Sequence, residues 1–154
     1  MSETFIRPAD PFDAGCLALV HAMEREVSEL YADRTGSIHS VPFDPSDMVP
    51  PAGDFLVVLR DDRTLGCGGL KRLDDEACEI KRMYIAPDAR GHGLARQLLE
   101  ALEARAREIG YSTARLDTAD RQPAALPLYE GAGYRRISPY NDNDLATYWF
   151  EKDL

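Results

Sequence analysis

The stretch Arg90-Gly91-His92-Gly93-Leu94-Ala95 lies between a strand-like run, residues 78–85, and a strongly helical run, residues 94–109. A glycine-bearing turn between a strand and a helix N-terminus suits an anion. Glycine reaches φ values that other residues avoid and lets backbone approach a ligand. The free N–H groups and positive dipole end of the helix favour negative charge. Arg90 adds a cation able to grip two oxygens. No Gly-Lys-Ser/Thr is present, which excludes a Walker loop. Leu94-Ala95-Arg96 follows Gly91-His92-Gly93, so the third small residue of a dinucleotide fingerprint is missing. A pyrophosphate-bearing ligand without a Walker lysine reads most simply as a coenzyme.

Working outward, residues 4–7 read as a short first strand. Asp10-Pro11-Phe12-Asp13 reads as a helix start, with Asp10 as N-cap and Pro11 in the first position. Cys16, Val20, Met23, Val27 and Leu30 then share one face near a 3.6-residue period. Residues 31–53 carry Gly36, Pro42, Pro45, Pro50, Pro51 and Gly53 and read as a loop with short helical turns at most. A loop of that length in a compact domain is often functional. Residues 54–60, 64–73 and 77–85 read as an antiparallel meander. Gly66, Gly68 and Gly69 in its middle arm suggest a bulge or a close backbone approach.

The helix over 94–109 buries Leu94, Leu98, Leu99, Leu102, Ala106 and Ile109, offers a Glu103–Arg107 pair and stops at Gly110. Residues 113–118 form a strand, 123–132 a short helix, and 134–136 and 146–152 the final strands. The pattern predicts an α/β fold in which a mixed, mostly antiparallel central sheet has helices on both faces.

With 154 residues, residues 1–154 are expected to form a single domain. The 44% apolar and 29% charged shares are those of an ordinary globule. No apolar run approaches the roughly 20 residues of a membrane helix, and residues 1–10 lack a signal-peptide pattern. Cys16, Cys67 and Cys78 are scattered and odd in number, which points to reduced thiols and a cytoplasmic setting. A net charge of −9 disfavours nucleic acid as a partner. It suits a cationic substrate, although solubility explains it as well. His21, His39 and His92 do not have metal-ligand spacing, and no metal is expected.

These residues resemble the GNAT superfamily of N-acetyltransferases. Residues 90–95 match its Gln/Arg-x-x-Gly-x-Gly/Ala motif, and Leu128-Tyr129-Glu130-Gly131-Ala132-Gly133-Tyr134 resembles its Leu-Tyr-x-x-x-Gly-Phe/Tyr block. Cys78-Glu79-Ile80 resembles the place where some members carry a glutamate base. The likeness is close over residues 64–134 and rests on element order before residue 54. Gln122 departs from it, standing where the family often has an asparagine that contacts the cofactor arm.

The resemblance implies a GNAT-like acyl-CoA N-acyltransferase fold and acetyl-CoA as co-substrate. It implies that backbone N–H groups of His92 to Ala95 hold the cofactor, with Arg90 and Gly91 alongside. The backbone of Met83, Tyr84 and Ile85 would run beside the pantetheine arm and offer a donor to the thioester carbonyl. The Tyr129 hydroxyl would point at the cofactor sulfur and protonate the leaving thiolate.

A lysine-like amine with pKa about 10.4 is neutral about once in 2,500 at pH 7, a deficit of roughly 4.6 kcal/mol. Glu79 is therefore a candidate base, acting through water; the other reading is a solvated charge or an ion pair with Lys81 or Arg82. Lys81 and Arg82 either attract an acidic group on substrate or border the sheet. Residues 139–144 read as an acidic, polar loop that, with residues 31–53, is expected to wall the acceptor pocket; Asp142 and Asp144 either hold an ammonium or sit in a solvated turn. Direct attack on the thioester in a ternary complex is expected, since no cysteine lies in an acyl-enzyme motif. The acceptor would be a small-molecule or peptide amine. A non-catalytic acyl-CoA-binding sensor and a protein lysine or N-terminal acetyltransferase stand as alternatives. The fold family often dimerises through edge strands, which makes the C-terminal strand a candidate for a homodimer contact.

Overall fold

The computed structural model describes residues 3–33 and 44–154. Among these residues seven strands form one sheet: β1 (Thr4–Pro8), β2 (Asp54–Arg60), β3 (Arg63–Arg72), β4 (Ala77–Ile85), β5 (Thr113–Thr118), β6 (Arg135–Ile137) and β7 (Tyr148–Asp153). Their order is β1-β2-β3-β4-β5-β7-β6. Of the neighbouring pairs, β4 with β5 is parallel and the rest are antiparallel. Three helices, α1 (Ala14–Leu30), α2 (Leu94–Ile109) and α3 (Ala125–Gly131), flank the sheet. The mixed α/β sheet expected from the sequence is present.

Alternation along the strands divides the core in two. Leu56 and Val58 of β2, Cys78 and Ile80 of β4, and Ala114 and Leu116 of β5 pack with Leu98, Leu99 and Leu102 of α2 and Tyr129 of α3. Phe55, Val57, Cys67 and Tyr84 pack on the other face with Cys16 and Val20 of α1 and with Met48. α2 and α3 thus share one face, and α1 covers part of the opposite one.

Two irregularities in β4 shape everything that follows. The β3–β4 register passes from Cys67↔Tyr84 to Gly69↔Lys81, so Arg82 and Met83 together oppose Gly68. Arg82 takes the left-handed φ of 59° that such a bulge requires. The β4–β5 ladder runs Ala77↔Thr113, Cys78↔Ala114 and Glu79↔Arg115 and then ends. From residue 80 onward β4 leaves β5, which continues to pair with β7 to Thr118. A gap therefore opens in the middle of the sheet. The glycine-marked middle arm of the meander lies opposite the bulge, as its composition suggested.

Several expectations need correction. α1 begins at Ala14 with Asp13 as its N-cap, because Asp10 folds its own turn by accepting from Phe12 N–H at 2.9 Å. Leu30 at the end of α1 is 39% exposed and does not join the core face. Glu103 pairs with Lys152 and Tyr134 instead of Arg107, because it lies on the sheet-facing side of α2 and is buried. The C-terminal strand is not an edge: β7 lies between β5 and β6, which leaves β6 at that edge. β2, β4, α2 and β5 match the expected bounds, while the ends of β1, β3, α3, β6 and β7 differ by at most two residues. His39 lies outside the described residues.

Candidate active site

The 90–95 turn takes the form its glycines suggest. Gly91 and Gly93 have φ of 83° and 76°, and Gly93 is the N-cap of α2. Among the described residues no side chain caps this helix end, so the first-turn N–H groups face outward. A Cβ at Gly91 or Gly93 would meet nothing within 4 Å. The turn is thus an open concavity edged by amide donors, which fits a pyrophosphate.

Arg90 is already engaged in this concavity. Its Nε donates to Ile85 O at 2.9 Å and its Nη2 to Glu26 Oε2 of α1 at 2.9 Å, and the guanidinium lies 5.4 Å from the Tyr84 ring centroid. This side chain ties the end of β4 to α1 and fixes the entry into the turn. The Arg90 hydrogen bond in turn holds the Glu26 carboxyl below its usual range.

Between the turn and the gap run Met83, Tyr84 and Ile85. They lie in the part of β4 that has no ladder partner on its β5 side, where Arg90 takes the Ile85 carbonyl and no strand takes the rest of the backbone edge. Gln122 sits in the turn after β5, where its N–H donates to Ala119 O and its carbonyl accepts from Ala125 N–H.

The bulge sorts the flanking side chains by face. Met83 packs with the α2 cluster, where the Tyr129 hydroxyl stands 4.0 Å from Met83 Sδ. Tyr129 is held between Tyr134 and Phe150, with ring centroids 5.9 and 6.0 Å away. Burial, with a smaller contribution from the Asp117 charge, pushes its phenol up to about 12. Tyr129 is therefore protonated throughout the physiological range and able to donate.

On the opposite face a polar network forms around Glu79. Glu79 is 2% exposed. Its Oε2 accepts from Tyr140 Oη at 2.6 Å and from Asn141 Nδ2 at 3.2 Å, and its Oε1 lies 3.4 Å from Lys81 Nζ. Lys81 also lies 3.9 Å from Asp117. Asp117 accepts from Asn141 Nδ2 at 2.6 Å and from Asn143 Nδ2 at 3.1 Å. Trp149 Nε1 donates to Asn141 Oδ1 at 2.9 Å. Two carboxylates, one ammonium and a set of amide donors are thus locked beside the gap.

Glu79 is not the solvated charge that was one reading of it, because the sheet and the 140–143 side chains bury it; it forms the Lys81 ion pair and stands at the gap. Asp117 and Trp149 were not singled out from the sequence; Tyr140, Asn141 and Asn143 were marked only as members of the polar loop 139–144 and given no roles of their own. Asp142 and Asp144, which were, are exposed, while the alternating Asn141 and Asn143 turn inward. The proximity of Asp117 follows from β5 alternation once Glu79 is placed; the polar composition of residues 139–144 marked the loop, but not which of its side chains turn inward.

Cys67 and Cys78 are buried, and burial pushes both thiols up to about 12. They are therefore poor nucleophiles. Among the described residues no group of three or more His, Cys, Asp or Glu side chains could hold a metal ion. Among the same residues no helix is long and apolar enough to cross a membrane.

Known proteins share this architecture. The sequence pattern of the Acetyltransferase (GNAT) family matches residues 19–134. The chain is 30% identical over 159 aligned positions to an IAA acetyltransferase of Azospirillum brasilense, covering 100% of both chains. It superposes with a TM-score of 0.77 on a candidate acyl-CoA N-acyltransferase of Klebsiella pneumoniae at 30% identity, covering 98% of this chain and 97% of that one. A GNAT-family acetyltransferase of Elizabethkingia anophelis with acetyl-CoA bound shares the fold, with a TM-score of 0.68, 18% identity and 98% coverage of each chain. Fold and site define an acyl-group transferase. The chain belongs to the GNAT family and is an acetyl-CoA-dependent acyltransferase.

Proposed function

We propose that residues 1–154 work as one N-acetyltransferase domain that moves an acetyl group from acetyl-CoA to a primary amine of a small molecule or peptide. The observation that carries this reading is the gap between β4 and β5, which has the Tyr129 phenol on one face and the Glu79 and Asp117 carboxylates on the other. A thioester lying in that gap would meet a proton donor from one side and an amine from the other.

In this reading the amides of His92, Gly93, Leu94 and Ala95 hold the pyrophosphate, while the backbone of Met83 to Ile85, which has no strand partner on its β5 side, holds the arm. One backbone N–H there polarises the thioester carbonyl, a contribution of about 3–4 kcal/mol in comparable sites. Glu79, through water, takes a proton from the acceptor ammonium. The neutral nitrogen forms the C–N bond as the C–S bond breaks, and Tyr129 gives its proton to the departing sulfur. The nitrogen's second proton leaves to solvent as the amide forms, and the phenolate is reprotonated from solvent. The buried, protonated thiols of Cys67 and Cys78 favour direct attack over an acyl-enzyme. Three free cysteines fit a cytoplasmic setting.

Thermal unfolding with acetyl-CoA, against free nucleotide phosphates, tests the cofactor. Ligand at about 100 times its Kd adds roughly 2.7 kcal/mol, a rise of about 5–10 °C at this size. Thiol release on adding amines then tests transfer. A thermal shift without thiol release from any amine would favour the acyl-CoA sensor.

A further inference from the structure

We infer that Glu26 of α1 is a positioning residue for acetyl-CoA: acting through Arg90, its carboxylate fixes the spacing between the turn that takes the pyrophosphate and the β4 edge that takes the arm. This rests on the cofactor placement proposed above and deepens it.

The first argument is where Arg90 spends its donors. Arg90 heads the turn and follows Ile85, the last residue of β4, by five positions, with the short helical turn Pro87–Ala89 between them. The bond from Arg90 Nε to Ile85 O, at 2.9 Å, closes that span. One end of the bond is the strand edge without a β5 partner, and the other opens the amide-lined turn. A cofactor lying across both is sensitive to their separation.

The second argument is what holds Arg90. A long side chain on a surface turn loses rotamer freedom only if something fixes it. Here Nη2 donates to Glu26 Oε2 at 2.9 Å, and the guanidinium lies 5.4 Å from the Tyr84 ring centroid. The Tyr84 hydroxyl also hydrogen-bonds to Glu26. Glu26 thus holds the guanidinium and the neighbouring ring together. Its own helix is anchored in the core through Cys16 and Val20, which gives the brace a fixed base.

The third argument is sign. Glu26 is a negative charge close to a turn suited to an anion, and like charges repel. On charge alone, Glu26→Ala tightens acetyl-CoA. A positioning role demands the reverse. The Arg90 and Glu26 side chains are 44% and 34% exposed, so this ion pair adds little to folding stability and its variants are expected to fold.

Calorimetric titration with acetyl-CoA tests this on wild type, Glu26→Ala, Glu26→Gln, Arg90→Ala and the Glu26→Ala/Arg90→Ala double variant. The ligand-free Tm of each protein is measured alongside. Glu26→Ala should raise Kd at least fivefold, while Glu26→Gln, which keeps an acceptor oxygen, stays within threefold of wild type. The double variant should lie within twofold of Arg90→Ala, because Glu26 works through Arg90. Adenosine 3′-phosphate 5′-diphosphate, the nucleotide half of the cofactor, carries no arm to reach the β4 edge. Its Kd should change less than twofold in Glu26→Ala, whereas a general loss of structure weakens both ligands alike. An unchanged or lower acetyl-CoA Kd in folded Glu26→Ala overturns the inference. So does equal weakening of both ligands, or a double variant whose loss is the product of the two single losses. Should the nucleotide half bind too weakly to titrate, the direction of the Glu26→Ala effect and the double variant decide. If Gly93→Ala binds acetyl-CoA as tightly as wild type, or wild type does not bind it, the cofactor placement itself fails and the inference falls with it.

Discussion

Tyr129 and Glu79 bear opposite halves of the proton transfer, and their surroundings separate them. Tyr129 sits among Tyr134, Phe150 and Met83, an apolar setting that keeps its proton on. Removing its hydroxyl leaves that packing unchanged. Tyr129→Phe should therefore lower kcat by about 100-fold, within the usual range for a general acid, while Kd for acetyl-CoA stays within twofold. Single-turnover rates and acetyl-CoA titration check both, and a full-rate variant removes Tyr129 from the mechanism. Glu79→Gln should lower kcat/KM about 100-fold at pH 7. The neutral fraction of an amine of pKa about 10.4 rises about a hundredfold between pH 7 and pH 9. The deficit should shrink at least tenfold over that interval if Glu79 is the base, whereas a purely structural glutamate gives a deficit that does not change with pH. Both residues stood out in the sequence because motif spacing marks them. Asp117 and Asn141 did not, since an aspartate in an alternating strand and an asparagine in a polar loop are ordinary in one dimension. Only folding brings residues 79, 117 and 141 within hydrogen-bond reach of one another.

At the scale of elements, the order of strands and helices was legible because hydrophobic period and glycine or proline punctuation change together at each boundary. The edge assignment was not, because nothing in residues 146–152 says that β7 inserts between β5 and β6. Nor was the burial of Glu103 legible: an i,i+4 charge pair looks the same whether or not Lys152 and Tyr134 wait across the core. The glycines of β3 did mark the bulge, and they can be separated from those of the 90–95 turn by experiment. A Cβ at Gly66 would stand 2.6 Å from Ile85 Cδ1 and 2.7 Å from Tyr84 O. Gly66→Ala should therefore overpack the β3–β4 seam at a cost of about 1–3 kcal/mol, lowering Tm by about 3–10 °C. Gly93 has open space around it, so its cost is conformational. Gly93→Ala should lose about 1–2 kcal/mol in the left-handed region or twist the turn out of shape. Its signature is an acetyl-CoA Kd raised at least fivefold with a Tm drop smaller than that of Gly66→Ala. The reverse ranking of the two variants in Tm would refute the division of labour between seam and turn.

For the molecule as a whole, burying so many weak acids in neutral form makes stability depend on alkaline pH. Cys67 and Cys78 are pushed up to about 12 by burial from an ordinary value near 9, and burial also raises Tyr129, Tyr134 and Tyr140. A group whose pKa is raised on folding keeps its proton in the folded chain after the unfolded chain has lost it. The stability it contributes is complete below the unfolded value and is lost as pH climbs toward the folded one. The two thiols alone should remove about 2.7 kcal/mol per pH unit once pH exceeds 9, at 1.36 kcal/mol per proton. Above pH 10 the unfolded tyrosines add to the slope. Against a typical total of 5–15 kcal/mol, this implies a urea midpoint that is flat from pH 7.5 to 8.5 and falls steeply between pH 9 and 10.5. The Cys67→Ala/Cys78→Ala pair separates this account from general alkaline repulsion in an acidic protein. The double variant starts less stable, because it leaves cavities, yet its midpoint should decline visibly less between pH 9 and 10. It should also retain acetyl transfer if the amine attacks the thioester directly. Equal slopes for wild type and variant would assign the alkaline limb to surface charge, and lost transfer in a folded double variant would reopen the acyl-enzyme route.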